Sequence, residues 1–134
     1  MLRLRNFILA LIVVAVTGCA GIKVSPDTVL LDVSFSWKDT KRCTNISPEI
    51  VIANYPAETK SFKIKLKDRD APNWNHGGGE YVNDGSGVVP AGALKSGYNG
   101  PCPPSGSHRY VFYVNAINED GMTIGTGKSL IRFP

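Results

Sequence analysis

From Val29 onward the chain alternates apolar and polar residues in short runs cut by glycine and proline, and it nowhere sustains a helical period. That feature narrows the fold more than any other. Val29 to Trp37 puts Val29, Leu31, Val33, Phe35 and Trp37 on one face. Ile50 to Tyr55 is a short apolar run suited to a buried strand. Ser61 to Lys67 turns Phe62, Ile64 and Leu66 inward and Lys63, Lys65 and Lys67 toward solvent. Arg109 to Ile117, rich in Tyr, Phe and Val, is the strongest strand run. Met122–Ile124 and Ser129–Phe133 follow, with Glu119-Asp120-Gly121 as a hairpin turn before Met122. Twelve of the fourteen glycines lie from Gly77 on, which marks the second half as turn-rich. Several short strands at this spacing predict an all-β, antiparallel sandwich or barrel.

The first residues read differently. Arg3 and Arg5 precede an unbroken apolar run, Phe7 to Val16, and Val16-Thr17-Gly18-Cys19 closes it. The run is too short to span a bilayer and has the layout of a secretory signal. Its end resembles the lipobox of bacterial lipoproteins, in which the cysteine is acylated and the chain is cut before it. The alternative is an ordinary or uncleaved leader with Cys19 incidental. The expected organisation is a signal peptide over 1–18, a lipidated tether over 19–28 and one domain over 29–134. The expected address is the bacterial envelope, on the outer membrane facing the periplasm, since Ala20 rather than an aspartate follows the cysteine.

Charge excludes one class of function. With Arg3 and Arg5 in the leader, 15 Lys and Arg against 11 Asp and Glu becomes 13 against 11. No run of five like charges exists, so there is no nucleic-acid footprint. Two cysteines remain beside Cys19. Cys43 and Cys102 form an even pair suited to a disulfide in an oxidising compartment, two separate thiols being the alternative.

Period two also suggests a site. The face of Phe62, Ile64 and Leu66 continues to Asp68 and Asp70, and the face of Phe112 and Val114 continues to Tyr110 and His108. If those strand ends meet, two carboxylates, an imidazole and a phenol converge over the core, as in a small-ligand pocket. The bland alternative is that both strands simply emerge into solvent.

Cys43-Thr44-Asn45-Ile46-Ser47-Pro48, Thr59-Lys60-Ser61-Phe62 and Asp68-Arg69-Asp70-Ala71-Pro72 resemble motifs of the phosphatidylethanolamine-binding and Raf-kinase-inhibitor-like proteins. So do Gly100-Pro101-Cys102-Pro103-Pro104 and His108-Arg109-Tyr110-Val111-Phe112, in the family's order. The resemblance implies an antiparallel β-sandwich with few or no helices and a small anion-accepting pocket at one end. Carried over, Asp68, His76, His108 and Tyr110 line that pocket, with Asp70 nearby and Pro101 and Pro103 shaping its rim. The chain departs from the usual pattern in three ways. His76-Gly77-Gly78-Gly79 stands where His-Trp is usual, so Glu80 could take the histidine's place. Arg69 replaces a proline, and the segment from Gly79 to Tyr98 is short.

These residues predict a non-catalytic, lipid-anchored module for a phosphate or carboxylate headgroup, with no cofactor. Catalysis lacks a Gly-x-Ser-x-Gly elbow to accompany His76-Gly77-Gly78-Gly79. A metal held by the two histidines and two aspartates is a rival, although their spacing is no recognised ligand pattern. The other rival is a protein partner docking on the Gly77 to Gly92 segment, which otherwise reads as a solvated connection.

Overall fold

The computed structural model describes residues 21–95 and 97–134. The signal peptide and Cys19 lie outside the described residues. Strand formation follows the alternation. In chain order the strands are β1 (Val24–Leu30), β2 (Asp32–Phe35), β3 (Ile50–Ala53) and β4 (Ser61–Asp68). They continue as β5 (Gly78–Val82), β6 (Val88–Val89), β7 (His108–Ile117) and β8 (Thr123–Phe133). Two sheets result, β1-β8-β7-β4-β5 and β2-β3-β6, and the described residues include no helix. All pairings are antiparallel except β1 with β8. The all-β sandwich expected from the sequence is the fold observed.

The core lies between the sheets. β4 contributes Phe62, Ile64 and Leu66, β7 contributes Tyr110, Phe112, Val114 and Ala116, and β3 contributes Ile50 and Ile52. Each Ile, Leu, Val or Phe among them, fully buried, contributes about 1.5–3 kcal/mol of transfer free energy. Aromatic edges lock the middle of the core. Phe35 meets Phe112 at 4.8 Å and 87°, and Trp37 meets Tyr110 at 5.9 Å and 81°.

Val29 to Trp37 is not one strand. The chain leaves the larger sheet after Leu30 and enters the smaller one at Asp32, with buried Leu31 at the crossing. Leu31 donates its amide to the Thr126 carbonyl at 2.9 Å. Leu31, Val33, Phe35 and Trp37 still join the core, whereas Val29 is exposed. The crossing needs room, and β8 supplies it. A Cβ at Gly125 would sit 2.7 Å from Leu31 Cδ2, and one at Gly127 would sit 2.5 Å from the Leu31 carbonyl oxygen. These glycines read as a break between Met122–Ile124 and Ser129–Phe133. They are instead the interior of one eleven-residue strand.

Two further expectations are corrected. Residues 24–28, read as tether, belong to β1, an edge strand whose register shifts between Val24 and Val29. Its residues are largely exposed, so no alternation announced it, and Pro26 is tolerated at an irregular edge. The Gly77 to Gly92 segment is not a plain connection, because it carries β5, paired to β4, and β6, paired to β3. Glycine weakens strand propensity, and pairing with β4 and β3 overrides it here.

Candidate functional site

Asp68 closes β4, His108 opens β7, and the register sets Asp68 directly across from Tyr110. The predicted convergence of the two strand ends therefore exists in space. Asp68 is buried, and its Oδ1 accepts from the amides of Asp70, at 2.8 Å, and Ala71, at 3.0 Å. This Asx-type turn ends the strand and anchors the carboxylate. Oδ2 accepts from His108 Nδ1 at 2.7 Å. With its proton on Nδ1, His108 keeps Nε2 free to accept, or to donate once the ring carries a second proton.

Burial, the largest single influence, would raise the Asp68 carboxyl. The hydrogen bonds from His108 and from the Asp70 and Ala71 amides, with the nearby Tyr110 hydroxyl, outweigh it and hold the group below the ordinary carboxylate range. Asp68 is therefore an anion at neutral pH, and its charge is covered by donors.

His76 reaches the same carboxylate from the loop before β5. Its Nε2 lies 3.9 Å from Asp68 Oδ2, and its Nδ1 donates to the Asn99 carbonyl at 2.7 Å. Asn99 returns its own amide to the His76 carbonyl at 2.9 Å. The loop turns next at Gly77, whose φ of +62° and contact with Gly97 leave no place for a side chain. Glu80, the alternative to His76, faces outward on β5 and accepts from the Ser61 hydroxyl at 2.6 Å.

Tyr110 stands between the imidazoles, its ring 5.2 Å from that of His76 and 6.4 Å from that of His108. Its hydroxyl is buried and, among the described residues, has no hydrogen-bond partner; the same holds for Tyr98. Burial pushes both phenols up; at Tyr110 the nearby Asp68 carboxylate acts in the same direction, while the Cys102 amide and the Arg42 charge pull the other way. The sequence offered no sign of Tyr98, which sits in an aperiodic glycine-rich stretch and stacks on Phe112 at 6.3 Å.

Asp70 does not join the cluster. Its carboxylate accepts from the Arg109 amide at 2.7 Å and from the guanidinium at 2.6 Å, which holds it far below the usual range. Period two had placed it beside Asp68. The Asx turn ends that period, so the side chain leaves the core face. Pro101 and Pro103 are buried, and their carbonyls accept from the Cys43 amide at 2.7 Å and from Arg42 Nη1 at 2.6 Å. Cys43 and Cys102 are joined as a disulfide with Cα atoms 4.5 Å apart, tying this segment to the loop before β3.

The cluster is nearly closed. His76 and Asp68 are 2% and 3% exposed and Tyr110 is fully buried, which leaves His108, at 18%, as the solvent-facing member. Exposed Ser105 and Gly106 flank it, and exposed Trp74 lies on the turn that follows Asp68. Among the described residues no three His, Cys, Asp or Glu side chains gather as a metal site.

Comparison with known proteins places this arrangement. The profile described as phosphatidylethanolamine-binding protein matches residues 75–132. A UPF0098 protein of Methanothermobacter thermautotrophicus is 37% identical over 94 residues, covering 55% of this chain and 62% of that protein. The UPF0098 protein YbhB of Escherichia coli is 37% identical over 109 residues, covering 63% of this chain and 68% of YbhB. Among solved structures, the phosphatidylethanolamine-binding protein homologue CT736 of Chlamydia trachomatis superposes with a TM-score of 0.54 at 19% identity, over 81% of this chain and 98% of that one. Escherichia coli YbcL, described as a member of the mammalian family, gives 0.53 at 21%, over 84% of this chain and 91% of its own. These two likenesses concern the fold. The profile supplies the family's description, and YbhB, matched over more than two thirds of its length, supports the assignment beyond the profile's span: the chain belongs to the phosphatidylethanolamine-binding protein family.

Proposed function

We propose that this is a lipid-anchored protein of the bacterial envelope, on the outer membrane facing the periplasm, that binds a small anion without transforming it. The anion is a phosphate or carboxylate headgroup, and the site is Asp68, His76, His108 and Tyr110. One observation carries the reading: a buried Tyr110 hydroxyl, with no partner at hydrogen-bond geometry among the described residues, stands near the Asp68 carboxylate and an imidazole that Asp68 holds in a fixed tautomer. A buried donor left unmade costs about 1–3 kcal/mol, which an anionic oxygen would recover. The imidazoles add charge-assisted donors whenever they are doubly protonated. Entry is over His108, beside the Ser105–Ser107 segment.

Binding is favoured over catalysis because, among the described residues, neither histidine bonds a serine, threonine or cysteine side chain. A nucleophile activated by either ring would need such a contact. Lipid attachment at Cys19 rests on the sequence.

The test is a titration of the detergent-solubilised chain with phosphate, phosphoethanolamine and acetate, followed by amide NMR. Saturable shifts at Asp68, His76, His108 and Tyr110, absent in His108→Ala, are expected. A folded protein whose amides there do not respond would refute the anion site. The mass of the purified chain reports separately on acylation of Cys19.

A further inference from the structure

The lysines that alternate along β4 belong to a larger feature. Cross-strand register aligns Lys65, Tyr113 and Lys128 in one row on the outer face of the five-stranded sheet. Lys63 lies on one side of that row and Lys67 on the other. Arg132 stands directly opposite Arg109 on the same face. Like charges gathered across strands cost stability. The acids of this face offset only part of that: Asp70 is engaged by Arg109 and Glu80 stands directly opposite Lys63, while Lys65, Lys67 and Lys128 face no acid directly across the strands. Among the described residues none of Lys63, Lys65, Lys67 and Lys128 makes an ion pair. Half-exposed Tyr113 and exposed Leu130 and Leu30 lie among these cations. An open groove of about 690 Å³ runs over the face, lined by Lys63, Lys65, Lys67, Tyr113 and Glu80 among others. Cations interleaved with aromatic and aliphatic side chains are the composition of a surface that meets headgroups.

A second observation fixes where this face lies relative to the start of the fold. Gly21, Ile22 and Lys23 line one surface cavity with Lys63, Asn115 and the β7–β8 turn at Asp120 and Gly121. The Lys23 carbonyl accepts from the Thr123 amide at 2.9 Å, and Ile22 is 84% exposed. In the sequence only Ala20 stands between Gly21 and Cys19. An acyl chain on Cys19 would therefore enter the bilayer beside Lys63.

We propose that the outer face of the five-stranded sheet is a membrane-contact surface that lies on anionic phospholipid headgroups, with the row Lys65–Tyr113–Lys128 at its centre. The proposal deepens the lipid-anchor reading and rests on it. The lipid confines the chain to the membrane, and the basic face sets its orientation, a division of labour between two membrane signals. Laid down on this face, the domain brings the strand ends that carry His108 and Arg109 to the bilayer's edge rather than pointing them away from it.

The experiment is lysine footprinting of the full chain reconstituted into vesicles of phosphatidylcholine alone or mixed equally with phosphatidylglycerol. Acetylation of Lys63, Lys65, Lys67 and Lys128 should slow by about tenfold in the anionic vesicles, while Lys38 and Lys41 react alike in both. Added salt should abolish the protection. In the variant Lys65→Glu/Lys67→Glu/Lys128→Glu, which alters two exposed positions and partly buried Lys67, Lys63 should lose its protection. Equal rates in the two vesicle types overturn the proposal. So does protection of the same lysines by a DNA duplex with none from anionic vesicles, which would assign the face to a polyanionic partner. If mass spectrometry finds no acyl group on Cys19, the anchor reading fails alone. Flotation with anionic but not neutral vesicles then upholds the face, and flotation with neither rejects it.

Discussion

The Asp68 carboxylate and the His108 imidazole meet at 2.7 Å although 40 positions separate them in the chain. They meet because antiparallel register sets the last residue of β4 beside the first residues of β7. Asp68 also closes the turn that follows its own strand, so one side chain ends an element, orients a neighbour and carries a buried charge.

Asp68→Ala should therefore cost about 2–4 kcal/mol of stability, since it leaves two amides and an imidazole without their acceptor. Urea unfolding measures it. A loss below about 1 kcal/mol would mean that water or relaxation replaces the carboxylate.

The pH dependence has a definite sign. The folded-state Asp68 carboxyl lies below its unfolded value of about 3.9, so in the window between the two the unfolded chain binds more protons. Its contribution is complete above that window and is lost as pH falls through the folded value. The stability gap between wild type and Asp68→Asn should thus shrink as the solution is acidified below about pH 4. A gap that widens on acidification would contradict the assignment.

Tyr110→Phe separates a binding role from a structural one. The hydroxyl has no partner at hydrogen-bond geometry among the described residues and only lies near the Asp68 carboxylate, so the melting temperature should change by no more than a few degrees. Phosphate affinity should fall by roughly five- to tenfold, corresponding to about 1 kcal/mol for one hydrogen bond. Unchanged affinity in calorimetry would remove Tyr110 from the site.

Replacing both Cys43 and Cys102 by serine opens a loop that spans 59 positions. Loop entropy sets the expected loss near 4 kcal/mol, and the amides of Gly100 and position 43, which bond the 100–103 segment to the loop before β3, should exchange faster. Hydrogen exchange that leaves this segment as protected as before would show that Arg42 and the Cys43 amide hold it unaided.

Gly125→Ala should destabilise by about 1–3 kcal/mol through overpacking against Leu31. In a Leu31→Ala background that penalty should largely vanish, because the obstructing atom is the end of the leucine side chain. Gly127→Ala should show no such rescue. Its obstacle is the Leu31 backbone carbonyl, which the truncation leaves in place. Equal rescue at both positions would refute the close-approach account.

Legibility in the sequence followed the source of each signal. β4 and β7 were readable because each is half-buried against one core, and their paired ends carried Asp68, His108 and Tyr110 into view. His76 entered through its resemblance to a family motif, as no periodicity reaches a loop residue. Asp70 was misplaced because period two was extended past the residue whose side chain ends the strand. Tyr98 was invisible for the same reason as β5 and β6: the conformation of a glycine-rich stretch is set by contacts with distant neighbours rather than by a local pattern.

By itself the amino-acid sequence determined the all-β class, the inward faces of the central strands and the residues available to a site. Alternation is local, and each buried face reports on one core. Tertiary structure decided how the chain divides between two sheets at Leu31, why β8 runs unbroken through Gly125 and Gly127, and which carboxylate faces the imidazoles. Those outcomes depend on register and close approach between segments far apart in the chain. Their energies come from contacts that no single stretch of sequence contains.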